Sequence, residues 1–344
     1  MIALRRIDHV CLRVADLGAA VRRWCVEFGF TERGGLRTVD RAYLACGYEP
    51  FSLELWSSRG EPGHEHSAFE LREGCTPDEA AGHLDGFGVA YRRDADDHIH
   101  LVDPEGYGVE LVPFTPRDPY PDVGRSTSVL PGFRARKLGH VNVLTGQLEA
   151  MRDFYRDVLG MRVTDYLGTE GVWLHVNADH HVMALVGKTP AHFHHFALDL
   201  VDWGMLRVAF DHLGQHGRWL GWGPVRHALG QNLCGYVRIP DEHLFVELYC
   251  DMEVLDLPHS AREWRDDPRG SNLWGILPPR SYFRFDGAAV ESERHQLKHS
   301  AHHSHRPDGD PVRPRVPTVA QIATASARRR TTISVTRITS ATRM

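Results

Sequence analysis

The chain has 344 residues, 42% of them apolar, which is enough to bury one substantial core or two modest ones. Its formal charge is −5, but seven arginines and no acid lie from Pro311 onward, so residues 1–310 hold 33 basic against 45 acidic residues, a net −12. An acidic body argues against nucleic acid as a partner. No apolar run has the length needed to cross a bilayer, and the opening MIALRRIDHV passes straight into a strand-like alternation, so no membrane partner and a cytoplasmic location are expected.

The chain then repeats itself: a strand-like stretch, a capped helix and further strand-like stretches recur four times, at a period of roughly 50 to 70 residues. In the first copy IDHVCLRV (7–14) alternates, Asp16 caps a helix bearing Leu17, Val21, Trp24 and Phe28 on one face, Gly29 ends it, and strands fall around 41–56. The second runs from HSAFEL (66–71) through the capping box Thr76-x-x-Glu79 and a short helix near Leu84 to GVELV (108–112). The third starts at GHVNVL (139–144), continues in a helix with Leu148, Met151, Tyr155 and Leu159 on one face, stops at Gly160 and extends its strands to about Val186. The fourth holds HHFALDLV (194–201), a helix from Asp202 with Leu206, Phe210 and Leu213, and LFVELYC (244–250).

The expected fold class is therefore α+β: four βαβββ modules paired into two domains, residues 1–115 and 132–255, joined by a proline-rich linker at 116–131. Residues 256–290, with Trp264, Trp274, Tyr282, Phe283 and Phe285, read as an irregular arm that covers a pocket. Residues 291–344 turn His-rich and then Pro-, Arg- and Thr-rich, without apolar periodicity, and are expected to be disordered. The six cysteines are scattered, show no C-x-x-C pair and read as buried thiols.

Twenty-three histidines exceed what core hydrogen bonding needs, so their placement decides their meaning. The second domain offers His140 in its first strand, His195 at the head of the fourth module's first strand and Glu247 in that module's last strand. Two histidines and one carboxylate on one face of a metal leave iron(II) with neighbouring open positions. A lone histidine in an apolar strand is ordinarily a hydrogen-bonded core residue; the case here rests on several positions together. His180 and His194, first members of two HH pairs, are expected on the opposite strand face by side-chain alternation and are given no catalytic role.

GHVNVL, DHHVMAL (179–185), HFHHFALDL (192–200) and HALGQNLCGYVRIPDEHLFVELY (227–249) resemble, in order and spacing, the two-domain extradiol ring-cleavage dioxygenases of the vicinal oxygen chelate superfamily. The resemblance runs over nearly residues 1–285. It implies two barrel-like domains, metal ligation by His140, His195 and Glu247, and catalytic roles for His181, His227 and Tyr236. It also implies iron(II) as cofactor, with manganese(II) as the alternative, no organic cofactor, and a catecholic substrate opened with O2 to a semialdehyde or keto acid in aromatic catabolism. A homo-oligomer is expected. The sequence departs from the family at Gly235, where a large apolar residue is usual, at Ile239 and at Glu242, where a turn glycine is usual.

In the first domain His9, His66 and Glu110 occupy the places equivalent to the triad, while Ser52 and His100 are expected where His181 and Tyr236 stand, so its site is expected to be vestigial. The pocket wall is expected to include Trp173, His175, Val186 and Phe193. Two rival readings stay open: a ligand-binding protein without chemistry, and a glyoxalase-like metalloenzyme that consumes no oxygen.

Overall fold

In the computed structural model the described residues are 1–291, apart from 48, 58–59, 117–131, 268–269, 285–287 and 289–290. The expected linker beyond Pro116, Phe285 of the arm and the tail beyond Glu291 lie outside them.

The first half forms one eight-stranded sheet. Its strands are β1 (Leu4–Val14), β2 (Thr31–Glu32), β3 (Arg41–Ala45), β4 (Leu53–Ser57), β5 (Gly63–Leu71), β6 (Tyr91–Arg93), β7 (Ile99–Val102) and β8 (Gly108–Val112), in spatial order β2-β3-β4-β1-β5-β8-β7-β6. The second half forms a nine-stranded sheet from β9 (Lys137–Leu144), β10 (Arg162–Leu167), β11 (Gly171–His175), β12 (Met183–Val186), β13 (His192–Asp199), β14 (Leu220–Arg226), β15 (Leu233–Ile239), β16 (Leu244–Cys250) and β17 (Arg262–Trp264). Its order is β14-β15-β16-β13-β9-β12-β11-β10-β17, with β17 contributed by the arm.

The helices start and stop where local chemistry demands. In α1 (Leu17–Phe28) Asp16 accepts from the Ala19 amide, and Leu17, Val21, Trp24 and Phe28 are buried. Gly29 then takes φ 70°, and a Cβ there would lie 2.1 Å from the Phe133 carbonyl oxygen, so only glycine fits. In α2 (Pro77–Gly86) both arms of the Thr76/Glu79 capping box form. The third helix differs from expectation: α3 (Leu148–Asp153) widens into a π-helical turn over Phe154–Val158. That turn brings Phe154, Tyr155 and Val158 inward together, and Tyr155 donates to Asp103 Oδ2 at 3.0 Å. In α4 (Trp203–Gln215) Asp202 accepts from the Met205 amide.

The two halves repeat the same strand register. In the first, His9 stands opposite Ala68, Ala68 opposite Glu110, and Cys11 opposite His66. In the second, His140 stands opposite Ala197, Ala197 opposite Glu247, and Asn142 opposite His195. Two histidines and a glutamate therefore converge from three adjacent strands in each half.

One apolar core runs through both halves, with the Trp24 and Phe196 rings 5.6 Å apart. Polar ties add to it: Arg218 pairs with Glu27 at 2.6 Å, and Arg23 pairs with the buried Glu242. Glu242, where a turn glycine is usual, thus fastens the β15–β16 turn to α1. Gly235 also has a physical reason, because a Cβ there would meet the Phe210 ring at 2.6 Å: α4 supplies the bulk that the strand lacks. Among the described residues no helix is long and apolar enough to cross a membrane.

Candidate metal centre and its pocket

His140 on β9, His195 on β13 and Glu247 on β16 are buried, and their ligand atoms lie within 4.8 Å of one another. His140 Nε2 and His195 Nε2 each stand 3.1 Å from the same carboxylate oxygen, Glu247 Oε2. Asn232 donates to Glu247 Oε1 at 2.8 Å, so the carboxylate is anchored at one end and turns its other oxygen to the two imidazoles. Burial opposes ionisation of Glu247, yet the His140 and His195 imidazoles hold its carboxyl well below the usual carboxylate range.

The proton on His195 can be located by following its partners. Burial keeps His194 neutral, with its pKa well below the ordinary value, and its Nε2–H donates to the Tyr282 carbonyl at 2.6 Å. His194 Nδ1 is then an acceptor and receives the Nδ1–H of His195 at 2.7 Å. This leaves His195 Nε2 bare, facing a carboxylate oxygen. Two acceptors at 3.1 Å in a buried site fit a cation between them, which is the test that the donor set passes for a divalent metal. Burial also pushes His195 down to about 4.

His180 and His194, expected to point away from their neighbours, turn toward them instead. β13 has a register shift between Phe193 and His195, where two residues on β13 span one step of β9, and this bulge brings His194 and His195 together. At the other doublet, His180 Nε2 donates to Asp165 at 2.9 Å, and its Nδ1 lies 2.9 Å from His181 Nδ1. The HH doublets were the signal that could have revealed these positioning groups; the Tyr282 and Ser271 carbonyls are main-chain atoms and leave no trace in the sequence.

His181 lies beside the triad, its ring 4.2 Å from that of His140, and burial together with His140 and His180 holds it neutral, well below its ordinary pKa. His227 donates from Nδ1 to the Ser271 carbonyl, so its Nε2 accepts the Tyr236 hydroxyl at 2.9 Å. Burial lowers the His227 pKa and raises that of Tyr236 well above the phenol value, so the pair is a neutral acceptor and a neutral donor. The structure brings all six expected site residues to one cavity of about 430 Å³.

Trp173 and Val186 line that cavity as expected, joined by Leu167, Lys188 and Trp222. His175 and Phe193 do not. His175 is buried behind the wall, with its Nδ1 2.7 Å from the Thr164 hydroxyl, and Phe193, set on the other side of the β13 bulge, stacks on His64 of the first half at 3.9 Å. From the arm, Leu277, Tyr282 and Phe283 reach the cavity, and the short helix α5 (Arg280–Phe283) carries the last two.

The first half holds His9, His66 and Glu110 together as well, and β4 adds Glu54, which sequence reasoning missed. Its expected counterparts need one correction. The Val10 amide bonds the Ser52 carbonyl as the Val141 amide bonds the Val182 carbonyl, so the residue equivalent to His181 is Phe51, not Ser52. His100 does stand opposite Glu110, as Tyr236 stands opposite Glu247.

Residues 137–272 match the model of the Glyoxalase/Bleomycin resistance protein/Dioxygenase superfamily. The paired βαβββ sheets recur in the solved structures that the chain is similar to. Among curated proteins the chain is similar to Metapyrocatechase 2 of Cupriavidus necator, 27% identical over 260 residues that cover 69% of this chain and 78% of that protein. Among solved structures, homoprotocatechuate 2,3-dioxygenase of Brevibacterium fuscum in complex with 3,4-dihydroxyphenylacetate superposes with a TM-score of 0.72 at 21% identity, covering 82% of this chain and 92% of that one. The Mn(II)-bound glyoxalase of Novosphingobium aromaticivorans gives 0.69 at 21% identity, over 82% and 94%. At these identities the structural likeness defines the fold.

Proposed function

We propose that the chain is an extradiol dioxygenase that opens a catechol-type diol with O2 at a mononuclear iron(II) held by His140, His195 and Glu247, with manganese(II) as the alternative metal. The observation that carries this reading is the bare His195 Nε2 sharing Glu247 Oε2 with His140 at the wall of a cavity. On β12 the position facing this centre holds Ala184, which lines the cavity and offers no fourth ligand. Three protein ligands and an open side suit a metal that must also take a bidentate diol and a gas. The names of the two dioxygenase relatives support the same chemistry.

When bound, the metal supplies Lewis acidity toward the diol oxygens and a path for electrons to O2. The protein supplies orientation and proton handling. Trp173, Trp222 and Leu167 give the aromatic ring an apolar wall. His227, kept neutral and fixed by Ser271, accepts a proton at Nε2, and Tyr236, its hydrogen-bond donor, passes its own proton toward His227 while accepting one from the diol. His181, neutral beside His140, serves as the acid–base group on the oxygen side.

The test is anaerobic loading with iron(II), followed by a panel of catechols in air, with oxygen uptake and the yellow ring-fission absorbance recorded together. One-to-one oxygen consumption with a yellow product, lost in His195→Ala, supports the reading. Catechol binding without oxygen uptake overturns it in favour of a binding protein.

A further inference from the structure

We infer that the first half holds a second divalent metal ion through His9, Glu54, His66 and Glu110. Their facing atoms form a tight group: Glu110 Oε2 stands 2.8 Å from His66 Nε2 and 3.2 Å from His9 Nε2, the two imidazole nitrogens are 3.3 Å apart, and Glu54 Oε2 lies 3.6 Å from His9 Nε2 and 3.9 Å from His66 Nε2. His9, Glu54 and Glu110 are 2%, 5% and 4% exposed.

Three of the four groups are also held from behind. His9 Nδ1 faces Asp8 Oδ2 at 3.0 Å and donates to it, which leaves Nε2 as the ring atom turned inward. Arg41 grips Glu54 Oε1, and His98 Nδ1 grips Glu110 Oε1 at 2.7 Å. The inward atoms face one another, and the buried Glu110 Oε2 meets the two imidazole nitrogens at close range but outside hydrogen-bond geometry. Outer partners that fix three of the ligands while carboxylate oxygens and imidazole nitrogens point at a common centre are what a metal site requires.

Glu54 makes the difference between the halves. By register it stands where Ala184 stands in the second half, since Leu53 pairs Val10 as Met183 pairs Val141. The first site thus has two imidazoles and two carboxylates, a harder set suited to manganese(II) or a similar divalent ion, with β1, β4, β5 and β8 each giving one ligand. The Phe51 ring lies 4.8 Å from His9, in the place that His181 takes in the other half, so the acid–base group that His181 offers there has no counterpart at this position. Its role is to clamp four strands together.

The test uses the full chain, loaded with Mn(II), dialysed and counted by elemental analysis, with Mn(II) electron paramagnetic resonance titration alongside. His66→Ala/His195→Ala is the blank that removes binding by the His-rich residues 295–305. Above that blank, two Mn(II) per wild-type chain are expected, one in His195→Ala and one in His66→Ala. In His195→Ala, Mn(II) should still raise the melting temperature, and adding His66→Ala should abolish that shift. One Mn(II) in the wild type and none in His195→Ala overturns the inference. If His66→Ala fails to fold, the number of binding phases in the wild-type and His195→Ala titrations decides instead: one and none overturn it. Because metals rather than turnovers are counted, the result stands apart from whether the second half cleaves catechols.

Discussion

His194 Nδ1 and His195 Nδ1 meet at 2.7 Å across a β-bulge, so a residue that lies off the proposed metal position fixes the proton of one that lies on it. Replacing His194 by Phe keeps a ring against Phe245 but removes the acceptor. Metal affinity should fall by about 10- to 100-fold, the usual cost of losing such an outer partner. Competition against a fluorescent chelator measures it, and an unchanged affinity would show that the tautomer is set elsewhere.

Tyr236→Phe removes the hydroxyl that donates to His227 Nε2 and leaves the ring stacked on Trp222. Steady-state kinetics should show kcat lower by about 100-fold with KM little changed. Loss of one buried hydrogen bond should cost only ~1 kcal/mol in stability. A larger change in KM than in kcat would assign Tyr236 to binding alone.

Gly235→Leu would restore the bulk usual at this place but drive a side chain into Phe210. Overpacking of this kind costs about 1–3 kcal/mol. The double variant Gly235→Leu/Phe210→Ala should recover part of it, and chemical denaturation of the three variants gives the coupling directly. Additive losses would mean that the two side chains do not share the space.

Burial, with His259 and Arg162 nearby, lowers the His175 pKa to about 4, and its Nδ1–H is committed to Thr164. An unfolded histidine titrates near 6.5, so between the two values the unfolded chain binds the extra proton and stability falls as pH falls from about 6.5 toward 4. His175→Asn retains a donor for Thr164 and cannot titrate. At pH 5 the wild type should have lost on the order of 1 kcal/mol more than the variant, relative to pH 7. Urea midpoints at the two pH values read this, and parallel shifts would rule it out.

The strand and helix order was legible because each module carries its own punctuation: Asp16 and Gly29, the Thr76/Glu79 box, Asp202. The widened turn at Phe154–Val158 was not, since Leu148, Met151, Tyr155 and Leu159 fit an ordinary helical face and only packing selects the wider turn. Of the candidate site, the six motif positions could be read from the sequence, whereas the contributions of Glu54, His194 and the Ser271 carbonyl depend on register, on a bulge and on the path of the arm. The same limit explains why His175 and Phe193, expected on the pocket wall, stand elsewhere.

The Tyr282 carbonyl, 88 residues after His194, receives the proton that decides which nitrogen of His195 is left bare. Tyr282 also forms part of the cavity wall. Whatever lifts the arm from its seat therefore opens the chamber and releases His194 to exchange its tautomer in one movement. Under the proposed function, entry to the pocket and the grip on the ion would be two readings of a single equilibrium, and a chain cut before residue 282 should lose metal before it loses its fold.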